Sequence, residues 1–514
     1  MNVPLHLLSL CAAVVPVVAV VSTAASASVG DFENHGDIGS PAVTGSVAYH
    51  NDTQAYLFRA GGDDIWAARD QFHFAWKKVT GDFILRAHAE FLAPGIHPKR
   101  KMGIMVRAGL GADDAYVDGA RHGIGSTDLQ WRRSKGATTE ETFLPVDQAD
   151  VLQLERRGSS FILSAARYGE PFVSKELKDF SLGSDAYVGL FLCAHSTTVA
   201  ETAIFRDVRF VRPARPDFKP YHDYIGSRLE VLDVFSGRLL SLYQSDEPFE
   251  APNWTLDGAS LIYNVSGGGP NKGVLRRFDL ATGQPQPFDT GFATHNNNDH
   301  VLSFDGSMLG ISNQGPESNH QSAVYVLPAT GGTPRRITPL TPSYLHGFSP
   351  DGKYVVYAGG RKLPGFTEDQ YDIYRSPVAG GPEDRLTKGG GRYDGSEYSP
   401  DGKYIYYTST ISGRMQIWRM APDGTNHEQV THDDLNDWFP HPSPDGKWIA
   451  FVSYGPDVPA EDHPYYKHIY LRVMPAAGGP ARIVAYVYGG QGTMNVPSWS
   501  PDSRRIAFVS NTGR

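Results

Sequence analysis

Three histidines, His300, His346 and His441, stand just ahead of a serine that opens a Ser-x-Asp-Gly segment. His300 and His346 precede Ser303 and Ser349 by three residues, Ser396 holds that register before Ser399, and His441 stands two residues before Ser443. Imidazole, with an unperturbed pKa of about 6.5, can carry a proton at physiological pH or ligate a metal. The same stretches hold carboxylates and amides. We therefore expect His300, His346, Glu397 and His441 as a catalytic set for acid–base work. Asn298, Asp299, Arg361, Asp394, Trp438, Tyr488, Gln491 and Asn495 are the expected ligand-binding residues. For a metal, the candidates are His300, His346, His441 and Gln491. The plainer reading is a polar channel that holds ordered water. Other chemistries are set aside. No Gly-x-Ser-x-Gly occurs, as a serine hydrolase elbow would need. Gly267-Gly-Gly-Pro-Asn-Lys272 lacks phosphate-loop spacing.

What must position these residues is a repeat. Its aspartate recurs as Asp257, Asp305, Asp351, Asp401, Asp445 and Asp502, each followed by a β-branched and aromatic run such as Tyr354-Val-Val-Tyr357. A period of about 40–50 residues with four strands per unit marks a β-propeller. Pro, Asp and Gly supply the turn: one fixes φ, one bonds its own backbone, one accepts positive φ. The hairpin Leu229–Tyr243 has no Asp-Gly hairpin before it, and Trp499–Ser510 has no second hairpin after it. Joined, they give a sixth blade and close the ring. Ring closure brings the residues ahead of each turn to one mouth. The long segments 314–321, 361–371 and 455–468, which include Glu317, His320, Arg361, Tyr465 and Tyr466, are expected to wall it.

Over residues 224–514 the repeats resemble the TolB-like six-bladed propellers, whose Trp-Ser-Pro-Asp and Ile-Ala-Phe pattern stands at 499–508. The N-terminal domain of full TolB is not among the features shared. Some TolB-like propellers, the oligogalacturonate lyases, place His and Gln around a metal. The resemblance of His300, His346, His441 and Gln491 to that set implies a divalent metal as the one cofactor to test. The first half reads as short strands between Gly, Asp and Ser turns: Phe83–Phe91, Lys101–Arg107, Leu129–Arg132, Val151–Arg156, Phe161–Ala166, Tyr187–Cys193 and Ala203–Val211. Asp63 to Phe74, Gly103 to Arg107 and Tyr187 to Leu190 resemble concanavalin-like jelly-roll modules. The expected fold is thus all-β: a jelly-roll β-sandwich over 28–212, a Pro-rich linker at 213–223 and a six-bladed propeller over 224–514. Trp66, Trp76 and Trp131 could stack on sugars, although core packing is the commoner role.

Residues 1–27 read as a secretory signal peptide. The apolar run Leu7–Val21 is shorter than the roughly 20 residues of a membrane span, and it leads into Ala25-Ser26-Ala27. Its removal would take Cys11 and leave Cys193 as a lone thiol, so packing rather than a disulfide must stabilise the chain. We expect a periplasmic or secreted protein with no membrane segment after cleavage. With 47 Lys and Arg against 56 Asp and Glu, and no basic run, nucleic acid is not an expected partner. The expected function is binding or processing of a carbohydrate at the propeller mouth. The alternatives are a periplasmic scaffold of the TolB type for protein partners, and a polysaccharide lyase or glycoside hydrolase proper.

Overall fold

The Ser/Thr-x-Asp segments fold as turns tied by their own side chains. In all six copies the hydroxyl of Thr255, Ser303, Ser349, Ser399, Ser443 or Ser500 donates to the following aspartate at 2.5–2.8 Å. Five copies then place a glycine at φ between +67° and +71°, where a Cβ would be strained. The sixth uses Ser503 at φ +57°, and its hydroxyl accepts the Asp445 N–H from the neighbouring turn.

In this computed structural model, which describes residues 28–219 and 221–513, each turn launches a strand buried on both faces, such as Tyr354–Arg361 or Trp448–Tyr454. Such strands suit a blade packed between two neighbours. Five four-stranded antiparallel blades begin with Phe249–Trp254, Asn296–Leu302, Ser343–Phe348, Tyr393–Tyr398 and Asn436–Pro442, and these first strands neighbour one another around the ring. The sixth blade is composite. Trp499 bridges Ile506, Arg505–Thr512 pairs with Gly226–Asp233, and that strand pairs with Leu239–Ser245. The ring is therefore six-bladed and closes where the sequence placed the closure.

Every first strand of the five complete blades contains a register shift against its partner. A bulge leaves residues outside the ladder and re-aims side chains. Where it falls within each strand decides what the mouth displays.

The first half forms two seven-stranded antiparallel sheets. One runs Asn34–Ile38, Phe72–Thr80, Asp185–Cys193, Lys101–Arg107, Tyr116–His122, Thr127–Arg132, Glu140–Phe143. The other runs Val173–Leu177, Ser160–Ala166, Val151–Arg157, Phe83–Phe91, Ser196–Val211, Ala55–Gly62, Ser46–His50. Both contribute to one core: Phe58, Leu85, Leu154 and Phe205 from the second meet Ile104, Val117 and Leu190 from the first. Trp76 is buried, Trp131 packs on the core and Trp66 is 39% exposed. Cys193 is free and buried, and burial pushes its thiol pKa up to about 12, as an inert thiol requires.

The two halves are joined by directed polar contacts. Arg209 Nε meets Glu230 at 2.6 Å, Tyr168 donates to the Val484 carbonyl at 2.7 Å, and His468 meets Glu155 at 3.0 Å. Among the described residues no helix is long and apolar enough to cross a membrane. The expected signal peptide lies outside the described residues.

Candidate functional site

A cavity of about 590 Å3 opens where the first strands converge. The sequence register that lines it is the fifth residue before each turn hydroxyl: Glu250, Asn298, Tyr344, Asp394 and Asn495 all face it. Trp438 holds the same register in the remaining blade but is fully buried, with its ring 4.3 Å from that of His463. Three long segments wall the cavity, contributing Gln314 and His320, Tyr371, and His463 and Tyr465. Glu317 and Tyr466 turn away, toward Asn313 and Ile225.

Two acidic centres sit on the floor. At one, His346 Nε2 meets Asp394 Oδ1 at 2.9 Å, and both side chains are nearly inaccessible. Burial opposes charge on His346, but the Asp394 hydrogen bond and the charges of Asp299, Asp394 and Glu397 outweigh it and raise its pKa. Burial likewise opposes charge on Asp394, and the His346 contact reverses the outcome, holding this carboxyl well below its usual range. Asp299 lies beside the pair, bonded by Asn297 at 2.6 Å and Asn495 at 3.3 Å; burial lifts it to about 6. At the second centre, Glu250 accepts from Tyr465 at 3.1 Å and Asn298 at 3.5 Å. Burial raises Glu250 to about 7 against those hydrogen bonds. Two carboxyls that titrate near neutrality, next to a carboxylate fixed in its charged form, can hold or move a proton.

Several lining atoms are buried without a protein partner: Asn264 Oδ1, Gln491 Oε1, Asn495 Oδ1 and His463 Nδ1. Buried polar atoms are normally satisfied, so these point to water or ligand.

Of the expected site residues, His346, Asn298, Asp299, Asp394, Gln491 and Asn495 come together at the cavity. The others do not line it. His300 is fully buried, with Nε2 on the Ile262 carbonyl of the preceding blade at 3.1 Å, and burial lowers its pKa to about 4. His441 spends Nδ1 on Glu397 at 2.6 Å and Nε2 on the Met494 carbonyl at 3.2 Å, behind the floor. Burial raises the Glu397 pKa against that hydrogen bond. Arg361 is locked by both oxygens of Glu383 and by the Pro342 carbonyl. The Tyr488 hydroxyl accepts from the Ala214 N–H between the two halves of the molecule. The proposed metal ligands do not fit a metal. His300 and His441 are committed elsewhere, and among the described residues no group of three or more His, Cys, Asp or Glu is arranged to hold an ion.

Glu250, Asn264 and His463 were not anticipated. Glu250 could have been found, because it stands in the register of Asp394, five residues ahead of its turn. Counting three residues back from Thr255 selects Pro252 instead, which passes over it.

Residues 346–458 match the family described as the TolB beta propeller domain. An uncharacterised protein of Agrobacterium fabrum is 45% identical over 285 residues, covering 55% of this chain and 92% of that protein. The solved structure of a putative TolB from Agrobacterium tumefaciens is 43% identical with a TM-score of 0.52, over 57% of this chain and 100% of that one. Those relatives are consumed almost whole by a propeller-sized match, which leaves no room in them for a counterpart of the two-sheet half. A manganese complex of oligogalacturonate lyase, 14% identical with a TM-score of 0.35, covers 70% of this chain and 87% of that one. That likeness is too slight to bear on chemistry.

Proposed function

We propose that this chain, which belongs to the TolB-like β-propeller proteins, binds a small polyhydroxylated ligand, a carbohydrate, in the mouth of its propeller. What supports the reading is the pairing of two kinds of surface in one cavity. The floor offers the carboxyls Glu250, Asp299 and Asp394 and the amides Asn264, Asn298, Gln491 and Asn495. The wall offers the rings Tyr221, Tyr224, Tyr344, Tyr371 and Tyr465. Sugar hydroxyls both donate and accept, which suits planar amides and carboxyls, while the apolar face of a pyranose suits an aromatic ring. The unpartnered amide oxygens would be satisfied by such a ligand.

If the ligand is turned over by a lyase or hydrolase reaction, Asp299 and the His346–Asp394 pair are the proton-handling groups. A scaffold role of the TolB type, using the propeller faces for protein partners, is supported equally by family membership. The cavity chemistry favours the ligand. The same reading takes residues 28–212 as a concanavalin-like jelly-roll module, 213–223 as a linker and 224–514 as the propeller. The protein would be exported to the periplasm or secreted after loss of residues 1–27.

Calorimetric titration of the full chain with a panel of neutral and acidic oligosaccharides tests this. One class should bind, and His346→Ala and Asn495→Ala should each weaken it by about tenfold or more. Binding by no member of the panel, or undiminished binding by both variants, would transfer the assignment to the scaffold.

A further inference from the structure

A second cavity, of about 420 Å3, lies between the two halves of the molecule. Lys77, Arg209, Arg212 and Arg228 line it, opposed by one lining carboxylate, Asp31. The cations come from different parts of the fold. Lys77 is on Phe72–Thr80 of one sheet, Arg209 on Ser196–Val211 of the other, and Arg228 on Gly226–Asp233 of the propeller. Arg209 and Arg228 are only 4% and 8% exposed.

Their own partners leave them incompletely used. Arg209 gives Nε to Glu230 at 2.6 Å and Nη1 to the Val208 carbonyl at 3.0 Å, and Nη2 has no partner. Arg228 gives Nη2 to the Phe210 carbonyl at 3.1 Å and reaches Gln244 with Nε and Nη2, and Nη1 has no partner. The Lys77 ammonium lies 4.2 Å from the Phe210 ring centroid. A buried guanidinium donor without an acceptor is costly, and an anion seated against the arginines that line this cavity would offset that cost. Planar guanidinium groups match the tetrahedral oxyanion, and an ammonium adds a point charge. Burial lowers the pKa of Lys77 and of Arg228, the neighbouring cations Arg212 and Arg209 lower them further, and Asp31, Glu33 and Glu230 oppose the shift.

We propose that this junction cavity binds a small phosphate-bearing anion, either free phosphate or the phosphate of a monoester. Four cations against Asp31 in the lining and Glu230, which Arg209 already pairs, leave a positive surplus that favours a dianion over a simple carboxylate. The cavity exceeds a bare phosphate, and Gln244, Ser241 and Tyr49 offer polar contacts to an ester group. The bound anion would bridge both sheets and the propeller. This site is independent of the propeller mouth.

The test uses the full chain, with sodium phosphate, glycerol phosphate and sodium chloride compared at equal ionic strength by thermal shift and calorimetry. Phosphate should raise Tm saturably and beyond the chloride control. Arg228→Gln and Lys77→Gln should each weaken phosphate binding by about tenfold or more. Tighter binding of glycerol phosphate assigns the site to a monoester, and equal binding to phosphate itself. Should Arg228→Gln not fold, Lys77→Gln, at the half-buried edge of the cavity, decides alone. No phosphate-specific shift in the wild type, or the same shift in the variants, overturns the proposal.

Discussion

The first strands of the second and third complete blades, Asn296–Leu302 and Ser343–Phe348, each carry a histidine three residues before the turn serine. The two rings meet opposite surroundings. In the second blade the ladder breaks between Asn296 and His300, so His300 is back in register opposite Ile311 and its ring is driven into the packing between blades. In the third the break spans Leu345 to Gly347, so His346 is itself the residue left out of the ladder, and it faces the cavity and Asp394. Where the bulge falls separates a structural histidine, held neutral by burial, from one whose pKa the cavity carboxylates raise.

The largest effect that could break this comparison is on stability. His300→Ala should cost about 2–4 kcal/mol, because it opens a void and strands the Ile262 carbonyl. Ligand binding at the mouth should be unchanged. Urea unfolding of His300→Ala beside His346→Ala reads the difference, and an equal or greater loss in His346→Ala would reverse the assignment.

Asp394→Asn sharpens the other side. It removes a carboxylate that favours the protonated form of His346 and should cost roughly 1–3 kcal/mol, limited because the imidazole can shed its proton when that charge is gone. The His346 pKa, followed by the NMR shift of its ring protons, should fall. An unmoved titration would mean that Asp394 does not set its charge.

The smallest effect is a pair of opposed slopes. The native His300 pKa is about 4, below the ordinary 6.5, so between those values the unfolded chain binds more protons than the native one. Its contribution therefore weakens stability as pH falls from 6.5 toward 4. The native His346 pKa is raised, so its contribution is fully present below 6.5 and is lost as pH rises through the native value. Each slope is at most about 1.4 kcal/mol per pH unit. His300→Gln should flatten the acid limb and His346→Gln the alkaline limb in unfolding curves across pH. Flattening of the same limb by both would erase the distinction.

The sequence displayed the turns, blade count and ring closure, because those depend on local chemistry. A Ser-x-Asp segment carries its own hydrogen bonds, and a two-sided apolar run must be sandwiched. In the first half, Phe83–Phe91 and Lys101–Arg107 were legible to the residue because both are buried nearly throughout. Asn34–Ile38, Ser46–His50 and Val173–Leu177 were not. They border their sheets and carry polar, partly exposed side chains. At the mouth the right segments were visible, but the register was not. Counting back three residues selects His300 with His346, whereas the exposed register is five back, and only the bulges decide that. His441 and Glu397 show the same limit: ring closure brings them within 2.6 Å, yet they satisfy each other behind the floor.

The composite blade has a consequence for how the chain acquires its shape during synthesis. Glu230 receives the Ser510 hydroxyl across 280 residues of sequence, so Gly226–Asp233 leaves the ribosome long before its partner exists. Contacts of such sequence separation slow folding, and an unpaired strand edge invites aggregation while it waits. The two-sheet half is made first and already grips that strand, through Arg209 on Glu230 and the Phe210 carbonyl on Arg228. Those contacts are placed to keep the first strand oriented until the final one arrives to shut the ring.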